Sequence, residues 1–284
     1  AAYHAERELD TLMYQDSGLY RNQQYVRANV INLQTMYEEI KILWDQELKY
    51  RPNFSTVDGV VNIPVIFSKI SGVKDGNISQ YWESIAALVT ENTVVVKRVP
   101  YIEPTASNPM KAFSVEFYKN GKLQRNKIKN HPKYPYNLLR EEMQEFMLDK
   151  LQLMIERKLI KGIGENGTEY TVIAQVLDLP KDILRLIQKF DFTKKNPKLI
   201  YINTGETILS LQDSILIAFL NLIGFDILFF VPTGYQSVEK YFAGNLMEEH
   251  QIGEYIYDMQ VPDLNSISTN HTRPSWRIKF FKGG

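Results

Sequence analysis

The stretch Lys198–Tyr241 constrains this chain more than any other. Leu199–Ile202 is a short apolar run, broken by Asn203-Thr204-Gly205-Glu206-Thr207. Ile208–Ile223 then places Ile208, Leu211, Ile215, Phe219 and Leu222 at helical spacing, and Gly224 stands where a helix would stop. Asp226–Val231 is a second apolar run, closed by Pro232-Thr233-Gly234-Tyr235, after which Ser237–Phe242 can open another helix. Short apolar strands alternating with helices predict a parallel α/β unit. Leu199–Ile202 is expected to pair in parallel with Ile227–Val231 through a right-handed crossover. Loops leaving the carboxyl ends of such strands lie together, and ligands bind there. Asn203, Thr204, Gly205, Glu206 and Thr207 in the first loop, with Thr233, Gly234 and Tyr235 in the second, are therefore the candidate ligand-binding residues of one cleft.

Two readings fit the first loop. Gly205 lets backbone approach a ligand, Thr204 and Thr207 offer hydroxyls, and a helix start offers free N–H groups to an anion. Glu206 would repel a phosphate unless a metal or a sugar hydroxyl intervenes. The plainer alternative is a strand-to-helix turn capped by Thr207. In the second loop, Tyr235 can stack on a base or sugar, or pack on the surface. Glu206 and Glu239 follow adjacent strand ends and can converge, whereas Asp226 opens its strand at the opposite end and reads as structural.

The other motifs are weaker. Gly162-Ile163-Gly164-Glu165-Asn166-Gly167 has dinucleotide-loop spacing but follows a helix instead of a strand, so it reads as an exposed turn that touches no ligand. His4, His131, His250 and His271 lack metal-ligand spacing and read as surface residues. No serine-hydrolase elbow and no phosphate-binding P-loop are present, so no catalytic residue and no metal ligand is assigned, and the cofactor stays unknown. Lysine plus arginine and aspartate plus glutamate number 33 each among 284 residues, which speaks against a dedicated nucleic-acid surface. Lys119, Lys122, Arg125, Lys127, Lys129 and Lys133 form a local basic cluster, read as a solvated hairpin over an anion site. With no cysteine, disulfides and thiolate chemistry are excluded. The apolar stretch Ile208–Val231 is interrupted by Gln212, Asp213, Ser214, Asn221 and Asp226, too polar for a transmembrane segment, and a cytoplasmic location is expected.

Along the rest of the chain, helices are expected over Ala2–Asp16, Arg21–Leu48, Ser79–Thr90 (capped by Ser79), Tyr136–Ile160, Glu169–Leu177 and Pro180–Phe190. Strands are expected over Val60–Ile70, with Pro64 at an edge or strand end, over Thr93–Val99 and over Ile252–Met259. Val60–Ile66 and Thr93–Val99 can pair in one sheet. Asn120-Gly121 signals a hairpin whose second arm can instead be helical. An ordered patch is expected at Trp276–Phe281. Tyr14, Tyr20, Tyr25, Tyr37, Trp44 and Tyr50 read as packing surface over binding surface. The fold class is mixed α/β: a helix-rich part over residues 1–160 and a Rossmann-like parallel α/β part over residues 161–284. No long linker separates them, so one continuous domain fits equally.

The segments NTGE and GFDILFFVPTGYQSVEKY, with AERELDTLMYQDSGLYR, TMYEEIKILWDQELKYRPNF and VNIPVIFSKISGV followed by Tyr81-Trp82, resemble the YceG-like family of bacterial tellurite-resistance and stress-response operons. The resemblance covers Glu6 to about Trp276. Members of that family are longer, which implies that this chain is a C-terminal portion. The resemblance implies a component of a biosynthetic module, grouped with nucleotide-using enzymes, and transfers no catalytic residue. Two functions follow as expectations. One is a glycosyltransferase-like transferase binding a phosphorylated, nucleotide or sugar-nucleotide ligand. The other is a non-catalytic scaffold holding stress-operon protein partners.

Overall fold

The computed structural model of the chain describes residues 27–268. The strands are β1 (Arg27–Asn32), β2 (Ser55–Val57), β3 (Val60–Val65), β4 (Phe67–Ser71), β5 (Thr93–Val96), β6 (Tyr118–Lys119), β7 (Lys122–Leu123), β8 (Lys198–Ile202), β9 (Asp226–Val231) and β10 (Glu248–Gln251). The helices are α1 (Tyr37–Asp45), α2 (Ile78–Ala86), α3 (Arg125–Lys129), α4 (Glu141–Glu156), α5 (Thr168–Val176), α6 (Lys181–Gln188) and α7 (Leu211–Leu222).

A five-stranded sheet in the order β10-β4-β9-β8-β5, parallel throughout, forms the centre. Leu199 pairs with Ile227 and Ile202 with Phe230, the parallel register expected from the two apolar runs. Alternation sorts these strands onto two cores. Leu199, Tyr201, Ile227, Phe229 and Val231 face the cluster built on α4 to α7. Ile200, Ile202, Leu228 and Phe230 face the cluster built on α1 and α2. With helices on both faces, no side of β8 or β9 meets water, so Leu199–Ile202 and Ile227–Val231 are apolar throughout. Helix α7 is buried all round from Asp213 to Leu222. It stops at Gly224, whose φ of 105° admits no ordinary side chain and whose added Cβ would lie 2.9 Å from the Phe190 ring. The sheet takes β4 and β5 from before Ile160 and β8 to β10 from after it.

Several expectations are corrected. Arg21–Leu48 is not one helix: from Arg27 to Asn32 it is β1, paired in parallel with β3, and only Tyr37–Asp45 is helical. Pairing with a distant strand overrides the local helical spacing here. Val60–Ile70 is two strands in two sheets, because β3 joins β1 and β2 while β4 enters the large sheet. The break falls at Ile66, whose N–H donates to the Asp226 carboxylate. Val60–Ile66 therefore does not pair with Thr93–Val99, whose strand β5 lies beside β8. Pro64 opposes Ile31 on one side, and pairing with β2 has already ended at Asn62 on the other. Asn77, not Ser79, caps α2 by accepting from the Gln80 N–H at 3.0 Å. Tyr136–Ile160 shortens to α4.

Ser237–Phe242 forms no helix; Phe242 bridges Ile160, and the Tyr241 carbonyl accepts from the Lys161 N–H at 2.9 Å. The last strand is the polar Glu248–Gln251, not Ile252–Met259, and charges are tolerated there because it is an edge. Asn120 and Gly121, both at positive φ, turn the β6–β7 hairpin, and α3 follows it. In the basic cluster beyond, Arg125 pairs with Glu145 and Asp149, and Lys129 with Glu141 and Glu145. Trp44 is core whereas Tyr50 is exposed. The readings at Ala2–Asp16, Tyr14, Tyr20, Tyr25, His4, His271 and Trp276–Phe281 lie outside the described residues.

One buried ionic cluster holds the amino edge of the large sheet. Asp226 accepts from Arg51 Nη1 at 2.8 Å, Arg51 Nη2 at 2.7 Å, Lys198 Nζ at 2.7 Å and the Ile66 N–H at 2.9 Å. Burial alone would raise this carboxyl, but the Arg51 and Lys198 charges outweigh it and hold it below the usual carboxylate range. Burial lowers Lys198 to about 8 despite the Asp226 charge beside it. Its ammonium also lies 4.7 Å from the Trp44 ring centre.

Asp226→Asn leaves two buried cations under-compensated and is expected to cost about 3–5 kcal/mol in denaturant unfolding. Lys198→Met keeps the bidentate Arg51–Asp226 pair and is expected within about 1 kcal/mol of the parent. Because the folded carboxyl sits below its unfolded value of about 3.9, its contribution is full above that pH and fades as pH falls through the folded value. Melting temperature measured against pH should fall more steeply in acid for the parent than for Asp226→Asn.

Candidate functional site

The loops after β8 and β9 lie side by side at the carboxyl edge of the large sheet. The Leu209 N–H donates to the Ser237 carbonyl at 2.7 Å, and the Asn203 N–H donates to the Phe230 carbonyl at 3.0 Å. Asn203 braces its own loop: Nδ2 donates to the Thr207 carbonyl at 2.8 Å, and Oδ1 accepts from the Gly205 N–H at 3.2 Å. Asn203 and Thr204 are half-buried, while Gly205, Glu206 and Thr207 are exposed. Gly205 is not in the left-handed region, and an added Cβ would meet only Asn203 Oδ1 at 3.9 Å.

Helix α7 starts later than the sequence suggests. Its cap is Ser210, not Thr207, with Oγ accepting from the Asp213 N–H at 3.1 Å. Asp213 in the first turn accepts from the Tyr101 and Ile102 N–H groups, each at 2.9 Å, and burial raises its carboxyl. A hydroxyl and a carboxylate therefore already occupy this helix start.

The second loop is more closed. Thr233 is buried, and its Oγ1 accepts from the Tyr235 N–H at 3.2 Å. Gly234 has φ 66°, and a Cβ there would lie 2.3 Å from the Tyr255 ring, so that ring covers it. Tyr235 is exposed, and its carbonyl accepts from Lys69 Nζ at 3.0 Å.

Lys69 is the residue that the sequence reading missed. It lies in β4, fully buried, and its ammonium also donates to Glu239 Oε1 at 2.6 Å and lies 3.7 Å from Glu249 Oε1. Glu249 in turn accepts from Ser71 Oγ at 2.7 Å. Both carboxylates keep nearly half of their side-chain surface in solvent. Glu239 is thus engaged by a buried cation beneath the loop. The signal was a lysine in the short run Phe67–Ser71, on the same face as Phe67 by strand alternation.

The remaining motifs take the following places. Gly162, Gly164 and Gly167 have positive φ in a turn between α4 and α5, and the Glu165 and Asn166 N–H groups donate to the Gly162 carbonyl. His131 and His250 are half-buried, not surface: His131 packs against Phe113 and Phe117, and His250 Nε2 lies 3.5 Å from Glu248. Among the described residues, no group of three or more His, Cys, Asp or Glu could hold a metal ion. No helix among them is long and apolar enough to cross a membrane.

A family model described as the YceG domain matches residues 34–269. The chain belongs to the YceG domain family. It is 26% identical over 273 residues to a Bacillus subtilis (strain 168) protein of that family, named Uncharacterized protein YceG, a match covering 93% of this chain and 51% of that protein. The chain thus spans about half the length of that curated relative. No solved structure matches the chain.

Lys69→Met removes a buried charge while its partner carboxylates remain hydrated, so the stability of the variant is expected within about 1 kcal/mol of the parent. The double variant Glu239→Gln, Glu249→Gln leaves the buried ammonium without a counter-charge and should cost about 1–3 kcal/mol. Urea unfolding of the two proteins side by side checks the order.

Proposed function

We propose that the chain is a Rossmann-like component of a bacterial stress-response and tellurite-resistance biosynthetic module. In this reading it acts in the cytoplasm and binds a phosphorylated or nucleotide-linked small molecule at the carboxyl edge of its large sheet, in the manner of a glycosyltransferase-like transferase. The observation that carries the reading is the side-by-side placement of two strand-end loops on adjacent parallel strands, joined by the Leu209–Ser237 hydrogen bond at 2.7 Å. Exposed Gly205 leaves room for close backbone approach, and the exposed Glu206 carboxylate suits ribose or sugar hydroxyls, or a phosphate-bound Mg²⁺. Family membership supports the module, since the resemblance to YceG-like proteins carries that context.

One observation favours the second reading, a non-catalytic scaffold for stress-operon partners. Tyr255 covers Gly234, and Tyr235, Tyr255 and Tyr257 are all exposed, a surface suited to a protein partner.

Thermal-shift and calorimetric titration with nucleotides and nucleotide-sugars, with and without Mg²⁺, separates the two. Gly205→Val should weaken binding about tenfold or more while leaving the melting temperature within about 2 °C of the parent, because the backbone there is not left-handed and an added Cβ meets only Asn203 Oδ1 at 3.9 Å. Unchanged binding in a Gly205→Val, Glu206→Gln double variant would leave the scaffold as the reading.

A further inference from the structure

A cavity of about 680 Å³ opens beside the first turn of α7, walled by the loop after β5, by α5 and by the start of α6. Its size is that of a small-molecule site. One wall carries Thr171 and Gln175, a turn apart on α5, and Asp178 just past the helix end. Tyr101, Tyr170 and Gln212 also line it. The opposite wall is held in place, since Tyr101 donates its backbone N–H to Asp213 at 2.9 Å and its hydroxyl to Asp182 at 2.5 Å.

Gln175 differs from the other buried amides. It is 6% exposed, yet its side-chain amide has no hydrogen-bond partner among the described residues. Other buried amides are all engaged. Gln144 donates to the Leu139 carbonyl at 2.8 Å and accepts from the Tyr134 hydroxyl. Asn196 donates to the Gly224 carbonyl at 2.9 Å, and Asn221 donates to Asn32 at 2.8 Å. The Gln175 amide instead opens onto the cavity, where its donor and its acceptor are committed to no protein group among the described residues. The Asp178 carboxylate likewise has no hydrogen-bond or ion-pair partner among the described residues, and burial raises its pKa.

We infer that this cavity binds a neutral, polyhydroxylated group such as a sugar ring or polyol, with Gln175 and Asp178 hydrogen-bonding its hydroxyls. The amide both donates and accepts, the carboxylate accepts, and vicinal hydroxyls satisfy both. The two tyrosines supply apolar surface for the C–H faces of such a ring. The lysines of the wall, Lys111 and Lys181, are exposed at its rim, so no buried cation stands ready for a phosphate. The inference does not depend on the strand-end loops.

Ligand-observed saturation-transfer NMR tests it, with N-acetylglucosamine, glucose, ribose and myo-inositol as probes at millimolar concentration. At least one probe should bind the parent and Gly205→Val alike. Gln175→Leu should weaken that probe about tenfold, the loss of one buried hydrogen-bonding group. Its melting temperature should stay within about 2 °C of the parent, since the amide bonds no protein group. Asp178→Asn, at a half-buried position, should also weaken the probe and serves if Gln175→Leu folds poorly. The inference is overturned if no probe binds, if both variants bind as the parent does, or if binding is lost in Gly205→Val but kept in Gln175→Leu.

Discussion

Asp226 is the charge on which the architecture turns. Its two oxygens meet a guanidinium from the segment after α1, an ammonium from β8 and the N–H of Ile66, the residue at which one strand ends and another begins. Four separate segments are thereby fixed at the amino edge of the large sheet. A carboxylate so deeply buried persists as an ion only because two cations and a backbone donor replace its water. The same contact decides topology, since it holds the break that sends β3 to the small sheet and β4 to the large one.

The opposite edge follows a different logic. There Lys69 is buried but its partners, Glu239 and Glu249, reach solvent. A closed ionic cluster ties the segments at one end of the sheet together, while a half-open one beneath the loop Thr233–Tyr235 leaves charge close to the surface. This is the end at which parallel strands present their loops, and where chemistry in such folds resides. The Gln175 cavity lies off α7, the helix that follows the first of those loops, so both polar features flank the same stretch of chain.

Much of the central unit was legible in the sequence. Leu199–Ile202 and Ile227–Val231 are apolar on both faces, which only a strand covered on both sides requires, and the helix between them shows in Ile215, Phe219 and Leu222. The adjacency of the two candidate loops follows from that parallel pairing. Their internal state was not legible. That Asn203 would spend its side chain on Thr207, that Ser210 would displace Thr207 as cap, and that Tyr255 would cover Gly234 all depend on where distant backbone comes to rest. Lys69 and Glu239, likewise far apart in the chain, become partners only once β4 has been inserted beside β9.

The sequence by itself determined the buried parallel core, the Asn120-Gly121 hairpin, the turn at Gly162–Gly167 and the stop at Gly224, because each rests on local preference or on a pattern of burial written over a few residues. Only the tertiary structure decided that Arg27–Asn32 is a strand, that the charged segment Glu248–Gln251 pairs with β4, and that Gln175 is buried without a partner. These outcomes are non-local. A strand gains its hydrogen bonds from a neighbour that its own sequence does not name, and a buried amide is satisfied or left free by side chains brought up from elsewhere in the chain.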